Sequence, residues 1–253
     1  MRDAGFRNLA LLFFLPCVVA ASAASTESLP AAEEMLLRAD EVRNPQFDYT
    51  VLVTVTSITT RSAPRVATYE VLMKGRESSV VKTLNPPVDR GRVLLMRGND
   101  LWAFLPTVSK PLRISMRERL IGEVANGDVA RVNFSGDYTP TLLREAQLEG
   151  RHFAVLELNA KTPAVTYGRV VLWIEVPAFH PYRAEFYAIS GRLLKTCSYE
   201  QYRELGGRLR PTQLTLSDPL VNGQYSMLAY EHMTIAPLPD KYFTKDYMKK
   251  FME

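Results

Sequence analysis

The chain has 253 residues, with 31 Lys and Arg against 27 Asp and Glu, three histidines and two cysteines. A net charge of +4 dispersed along the sequence is not a nucleic-acid footprint, which gathers cations on one face or tail. The length accommodates one sizeable core, and two cysteines are too few for a disulfide framework.

Residues 1–23 read as a secretory leader. Arg2 and Arg7 form a basic start, Leu9 to Ala20 an apolar run, and Ala21-Ser22-Ala23 the small residues required for cleavage. The run is shorter than the roughly 20 helical residues needed to span a bilayer. Cleavage after Ala23 is the expectation, and retention as an N-terminal anchor is the alternative. Lipidation of Cys17 is rejected, because Pro16 stands where a small residue is needed. Loss of Arg2, Arg7 and Asp3 leaves a mature chain near +3 whose one cysteine, Cys197, has no intramolecular partner. Cys197 lies on an apolar strand and reads as a packing group.

Residues 24–253 are expected to form one domain. Ala31 to Arg43 reads as an amphipathic helix with Met35, Leu36, Ala39 and Val42 on its apolar stripe and Asp40 largely outside it. Asn44-Pro45 ends it. From Phe47 the period changes to two, with Tyr49, Val51, Val53 and Val55 alternating with polar residues as in a strand. Strand-like runs follow at Val66 to Met73, Ser79 to Leu84, Val93 to Arg97, Leu101 to Leu105, Phe153 to Asn159 and Arg169 to Val176. Later runs are Arg183 to Ile189, Leu193 to Tyr202, Thr212 to Leu216 and Tyr225 to Thr234. Gly98-Asn99-Asp100, Ser190-Gly191 and Asn222-Gly223 supply tight reversals, so the sheet is antiparallel. Ser115 to Arg144 reads as a long loop with short helical turns. Tyr242, Phe243, Tyr247, Met248 and Phe251 have the spacing of a closing helix over Asp240 to Phe251.

No phosphate loop, dinucleotide fingerprint, nucleophile elbow or zinc-protease motif is present, and His152, His180 and His232 lack metal-ligand spacing. The expectation is a non-enzymatic protein with no metal and no cofactor, although a triad assembled from distant positions is invisible to such a reading. Lys110, Arg113, Arg117 and Arg119 form a basic cluster. They are candidates for contact with lipid phosphates or an acidic partner, or else a solvated loop with counter-charges such as Glu118. The strand aromatics Trp102, Phe104, Trp173, Phe186, Tyr187 and Tyr199 fit either ordinary sheet packing or the wall of an acyl-chain cavity.

A further pattern carries a family resemblance. Gly98-Asn99-Asp100-Leu101-Trp102-Ala103-Phe104-Leu105-Pro106, then Arg113-Ile114-Ser115, is followed by Leu120-Ile121-Gly122-Glu123-Val124-Ala125-Asn126-Gly127-Asp128 and Phe134. It resumes at Arg183-Ala184-Glu185-Phe186-Tyr187, Ser190-Gly191-Arg192, Arg210-Pro211-Thr212 and Leu238-Pro239-Asp240-Lys241-Tyr242-Phe243-Thr244. Together these resemble an outlying branch of the LolA-like family of outer-membrane lipoprotein-sorting proteins, over nearly the whole mature chain. The resemblance implies an α+β, mostly β fold: an unclosed half-barrel of antiparallel strands with helices plugging its concave side. It also implies a periplasmic location, a hydrophobic cavity, and lipid or lipoprotein acyl chains as cargo. An inner-membrane exporter and an outer-membrane acceptor would be the partners. No residue is matched to the arginine that latches the carriers' lid. The expected cavity wall is Tyr49, Val51, Val53, Trp102, Phe104, Trp173, Phe186 and Tyr199. An envelope sensor on the same fold is the alternative reading.

Overall fold

The computed structural model describes residues 29–131 and 133–252, so the expected leader, including Cys17, lies outside the described residues. Helix α1 (Ala32–Arg43) is followed by β1 (Tyr49–Thr59), β2 (Ser62–Lys74), β3 (Ser78–Asn85), β4 (Val93–Arg97), β5 (Asp100–Phe104) and β6 (Leu112–Ile114). A compact segment comes next, with β7 (Arg119–Ile121), β8 (Val124–Ala125), α2 (Asn126–Ala130) and α3 (Phe134–Asp137). The chain then forms β9 (Tyr138–Leu148), β10 (Arg151–Ala160), β11 (Arg169–Val176), β12 (His180–Tyr187), β13 (Leu193–Leu205), β14 (Arg208–Ser217) and β15 (Tyr225–Ile235). It ends in α4 (Met248–Met252).

The main sheet has 13 antiparallel strands in the order β6-β5-β4-β3-β2-β1-β15-β14-β13-β12-β11-β10-β9. β1 and β15 join its halves in the middle, with Val53 opposite Tyr230 and Val55 opposite Leu228. The short turns expected at Gly98-Asn99, Ser190-Gly191 and Asn222-Gly223 all connect neighbouring strands. β6 and β9 are successive strands of this sheet in sequence yet form its opposite edges, so residues 115–137 must cross between them. They do so against the inner face, where Met116, Val124, Val129, Ala130 and Phe134 join one core with α1 and the inward residues of the sheet. The sheet is an unclosed half-barrel plugged by its own crossing segment.

The plug is seated by backbone contact. Gly122, in the β7–β8 turn, has φ +54°, and a Cβ there would lie 2.2 Å from Ser57 Oγ and 2.3 Å from Ser226 Oγ. Those serines face each other across β1 and β15, and Ser226 Oγ accepts a 2.9 Å bond from the Glu123 amide. Small polar residues on an otherwise apolar face thus make a socket for the turn.

Three expectations need correction. Asp40 is buried on α1, because it pairs with Arg43 at 2.8 Å and accepts the Ser135 amide at 2.6 Å. Tyr138 to Arg144 is the first part of strand β9. As an edge strand it is mostly exposed and carries Pro140 and Arg144, so its sequence lacks the alternation that would reveal it. The tail is not one helix: extended backbone at Thr244 separates a first 3₁₀ turn, Asp240–Phe243, from a second, Lys245–Tyr247, which runs directly into α4. It also covers the outer face, where Phe243 and Met248 pack with Leu72, Val80, Val93, Leu95 and Phe104.

Asp48 holds the start of that tail. It accepts the Leu238 amide at 3.0 Å, the Gly75 amide at 3.1 Å and Lys74 Nζ at 3.2 Å. Burial alone would raise its carboxyl, but these bonds hold it below the ordinary carboxylate value of 3.8. A lowered folded value means the anchor is complete above pH 3.8 and fades as pH falls through that lower value. Hydrogen exchange of tail peptides should therefore accelerate in strong acid, and Asp48→Asn should show the accelerated pattern already at neutral pH. Gly122→Ala should lift the plug from its socket. The left-handed backbone alone costs about 1–2 kcal/mol before the serine clash, measurable by urea unfolding.

Candidate functional site

The inner face is the candidate site. From β1 it takes Tyr49, Val51 and Val53, from β12 Phe186, and from β13 Lys195, Cys197 and Tyr199. Five of the eight expected cavity residues therefore share one core: Tyr49, Val51, Val53, Phe186 and Tyr199. Trp102, Phe104 and Trp173 do not. On β5 the alternation sends Leu101 and Ala103 inward, so Trp102 and Phe104 point outward beneath the tail, with Lys245 Nζ 3.9 Å from the Trp102 ring. On β11 Val170, Leu172 and Ile174 point inward. Trp173 packs outside with Phe153, under the guanidinium of Arg183 at 3.7 Å. Both faces of the sheet are apolar, so aromatic content did not reveal which face was which.

Two small voids remain between sheet and plug, of about 40 and 50 Å³. One is lined by Phe134, Tyr138, Tyr167, Phe186, Cys197 and Tyr199, the other by Tyr49, Val51, Val53, Val71 and Tyr230; Arg43, Asp128 and Leu214 border both. Arg43 is the unexpected occupant. Its side chain is only 7% exposed, stacks 3.7 Å from the Phe134 ring, and leaves Nε without a partner among the described residues. Burial opposes its charge, but Tyr199 and Asp40 beside it outweigh that effect and raise its pKa. Burial likewise pushes the Cys197 thiol up, and the thiol is shielded as expected.

Charged side chains fasten the covers. Arg210 of β14 donates to the Glu41 carbonyl at 2.6 Å and the Val42 carbonyl at 2.8 Å, satisfying the open C-terminus of α1. Lys195 of β13 donates to Asp128 Oδ2 and to the Glu123 carbonyl, each at 2.6 Å, tying the plug to the sheet. Tyr167 donates to the other Asp128 oxygen, and Asp128 also accepts the Ala125 amide at 2.8 Å. Sequence reading missed Arg43, Asp128, Lys195 and Arg210. Lys195 did leave a signal, since it shares the parity of Cys197 and Tyr199 on an inward strand face. Arg43 stands three residues from Asp40 on α1, a spacing that says nothing of their burial, and Arg210, though part of the Arg210-Pro211-Thr212 motif, gave no sign that its partners are carbonyls at the end of α1.

The basic cluster separates. Arg113 pairs with Asp100 on the β5–β6 edge, and Lys110 is exposed in the preceding loop. Arg117 donates to the carbonyls of Val165, at 3.1 Å, and Pro163. Arg117 and Arg119 line a separate, larger cleft beside the plug.

An unclosed antiparallel sheet with its inner face plugged by helices defines a class of half-barrel binding folds. A family model described only as "uncharacterized protein" matches residues 75–250. A LolA superfamily protein from Nitrosomonas europaea is 46% identical, with a TM-score of 0.83, over 87% of this chain and 100% of that one. The chain belongs to the LolA superfamily. Two more distant structures share the fold. A DUF1329 family protein from Desulfovibrio piger is 22% identical, with a TM-score of 0.73, over 86% of this chain and 97% of that one. An outer-membrane lipoprotein-sorting protein domain from Vibrio parahaemolyticus is 19% identical, with a TM-score of 0.70, over 86% and 98%. No curated protein matches the chain.

Arg43→Met should remove one partner of a buried ion pair and leave Asp40 uncompensated, lowering stability by about 3–5 kcal/mol. Chemical unfolding of both proteins at neutral pH checks this value.

Proposed function

We propose that this protein is a non-enzymatic periplasmic carrier that shelters the acyl chains of lipids or lipoproteins between its sheet and its plug. The observation that carries this reading is an extended apolar inner face closed by covers that polar side chains fasten. Each CH₂ moved from water into such a space contributes about 0.8 kcal/mol. The present voids are far below the roughly 300 Å³ of an ordinary ligand pocket. Uptake therefore needs the plug and α1 to move outward, and Arg43 is the side chain to be displaced. Its guanidinium is held by Asp40 and Tyr199, contacts that must give way for cargo to enter.

The leader read at residues 1–23 supports export. No helix among the described residues is long and apolar enough to cross a membrane. In this reading an inner-membrane exporter loads the protein and an outer-membrane acceptor unloads it, with family membership supporting the carrier role. The test is uptake of a fluorescent fatty acid or phospholipid by variants shown to be folded. Val53→Ala and Phe186→Leu, on the inner face, should weaken uptake by roughly fivefold, the effect of about 1 kcal/mol. Trp173→Leu and Phe104→Ala, on the outer face, should leave it unchanged. A wild type that takes up no amphiphile, or outer-face variants that lose as much as inner-face ones, would overturn the proposal.

A further inference from the structure

Beside the plug lies an open cleft of about 510 Å³, within the usual range of small-ligand sites. Four cations line it, Arg117, Arg119, Arg192 and Lys195, against two carboxylates, Glu123 and Asp218. Both carboxylates are already engaged: Glu123 accepts Gln224 Nε2 at 2.6 Å, and Asp218 accepts the Leu220 amide at 2.8 Å. Arg117 is committed to main-chain carbonyls. Arg119 is 65% exposed and only 3.8 Å from Glu123, while Arg192 is exposed with no side-chain partner among the described residues. Arg192 is thus available at the mouth, with Arg119 beside it in an exposed pair with Glu123. Next to them stand two large apolar side chains on hairpin turns, Ile189 at 64% and Leu220 at 78% exposure.

The floor of the cleft is also the wall of the interior. Thr166 and Tyr167 line both the cleft and the void beneath the plug, while Lys195 faces the cleft and Asp128 the void. Lys195 is 7% exposed and uses two of its three donors, both on acceptors of the crossing segment. An oxyanion entering the cleft competes with Asp128 and the Glu123 carbonyl for the same ammonium. Charge alone would also suit free phosphate. The exposed Ile189 and Leu220 beside the cations fit an anion that carries a hydrocarbon chain.

We propose that this cleft receives the oxyanion head group of an amphiphilic cargo, and that binding there draws Lys195 from Asp128 and so releases the plug. The inference rests on the carrier reading and names its cargo class: acyl chains with a net anionic head. Dihexanoyl phosphatidylglycerol should bind the full-length protein roughly tenfold more tightly than dihexanoyl phosphatidylcholine, which has the same chains and no net charge. Arg119→Glu combined with Arg192→Glu, both exposed, should abolish the difference with the fold intact. Alkylation of Cys197, followed by peptide mass spectrometry, should accelerate severalfold with the anionic lipid and not with inorganic phosphate. Equal affinity for the two lipids, or unchanged affinity in the charge-reversed protein, overturns the head-group site. So does inorganic phosphate binding as tightly as the anionic lipid. Tight anionic binding with an unchanged Cys197 rate overturns the release step. Uptake of a neutral acyl probe without head-group preference would leave the carrier reading standing while this inference falls, and no acyl uptake at all would end both.

Discussion

Consecutive strands at opposite edges of an unclosed sheet impose the central constraint. The chain must travel from β6 to β9, and the inner face between them is apolar and needs cover. Both needs are met by one segment. The crossing of residues 115–137 is too short and too rich in turns to wander, so it settles onto the face as a plug with Gly122 in its serine socket. Helix α1 completes the cover from the other side, fastened at its C-terminus by Arg210.

The two faces of the sheet are closed by different physics. On the outer face the tail lays an aromatic group, Tyr242, Tyr247 and Phe251, over an apolar patch, with ring centroids 4.9 to 5.5 Å apart. Such packing adds favourable contacts between rings, supplemented by Lys245 over Trp102 and by the Asp48 anchor where the tail begins. On the inner face Lys195–Asp128 ties the plug to the sheet, Arg210 holds the end of α1, and Asp40, paired with Arg43 on the same helix, accepts the Ser135 amide of the plug. In buried ion pairs the attraction roughly offsets the desolvation of both groups, so they specify position more than they add stability. A cover fastened this way is fixed in position by its charged partners. In the proposed carrier, exchange belongs to the inner face and the tail is structural.

Much of the fold was legible along the chain. The alternation from Tyr49, the turn residues between hairpins and the stop at Asn44-Pro45 act between near neighbours, and α1, β1 and the meander follow them closely. The motif Leu120 to Asp128 marked the plug as a unit without revealing its conformation. β9 escaped notice because beyond Pro140 this edge strand is mostly exposed and imposes little pattern, and the tail misled because helical spacing says nothing about an extended residue such as Thr244. Candidate site residues fared unevenly for a related reason. On β1, β12 and β13 the aromatic or aliphatic parity coincided with the inner face, whereas on β5 and β11 the largest rings took the outer one.

The sequence by itself determined most of the strands, β9 being the main exception, where they reverse, that the sheet is antiparallel and that apolar side chains line it. These are matters of period and turn chemistry, decided over a few residues. Only the tertiary structure decided which apolar face became the interior, which covered side the tail took, and that Arg43, Asp128, Lys195 and Arg210 would be buried to hold the covers. Alternation divides a strand into two sides but does not name them, and Lys195 and Arg210 become fasteners only when their partners arrive from distant parts of the chain.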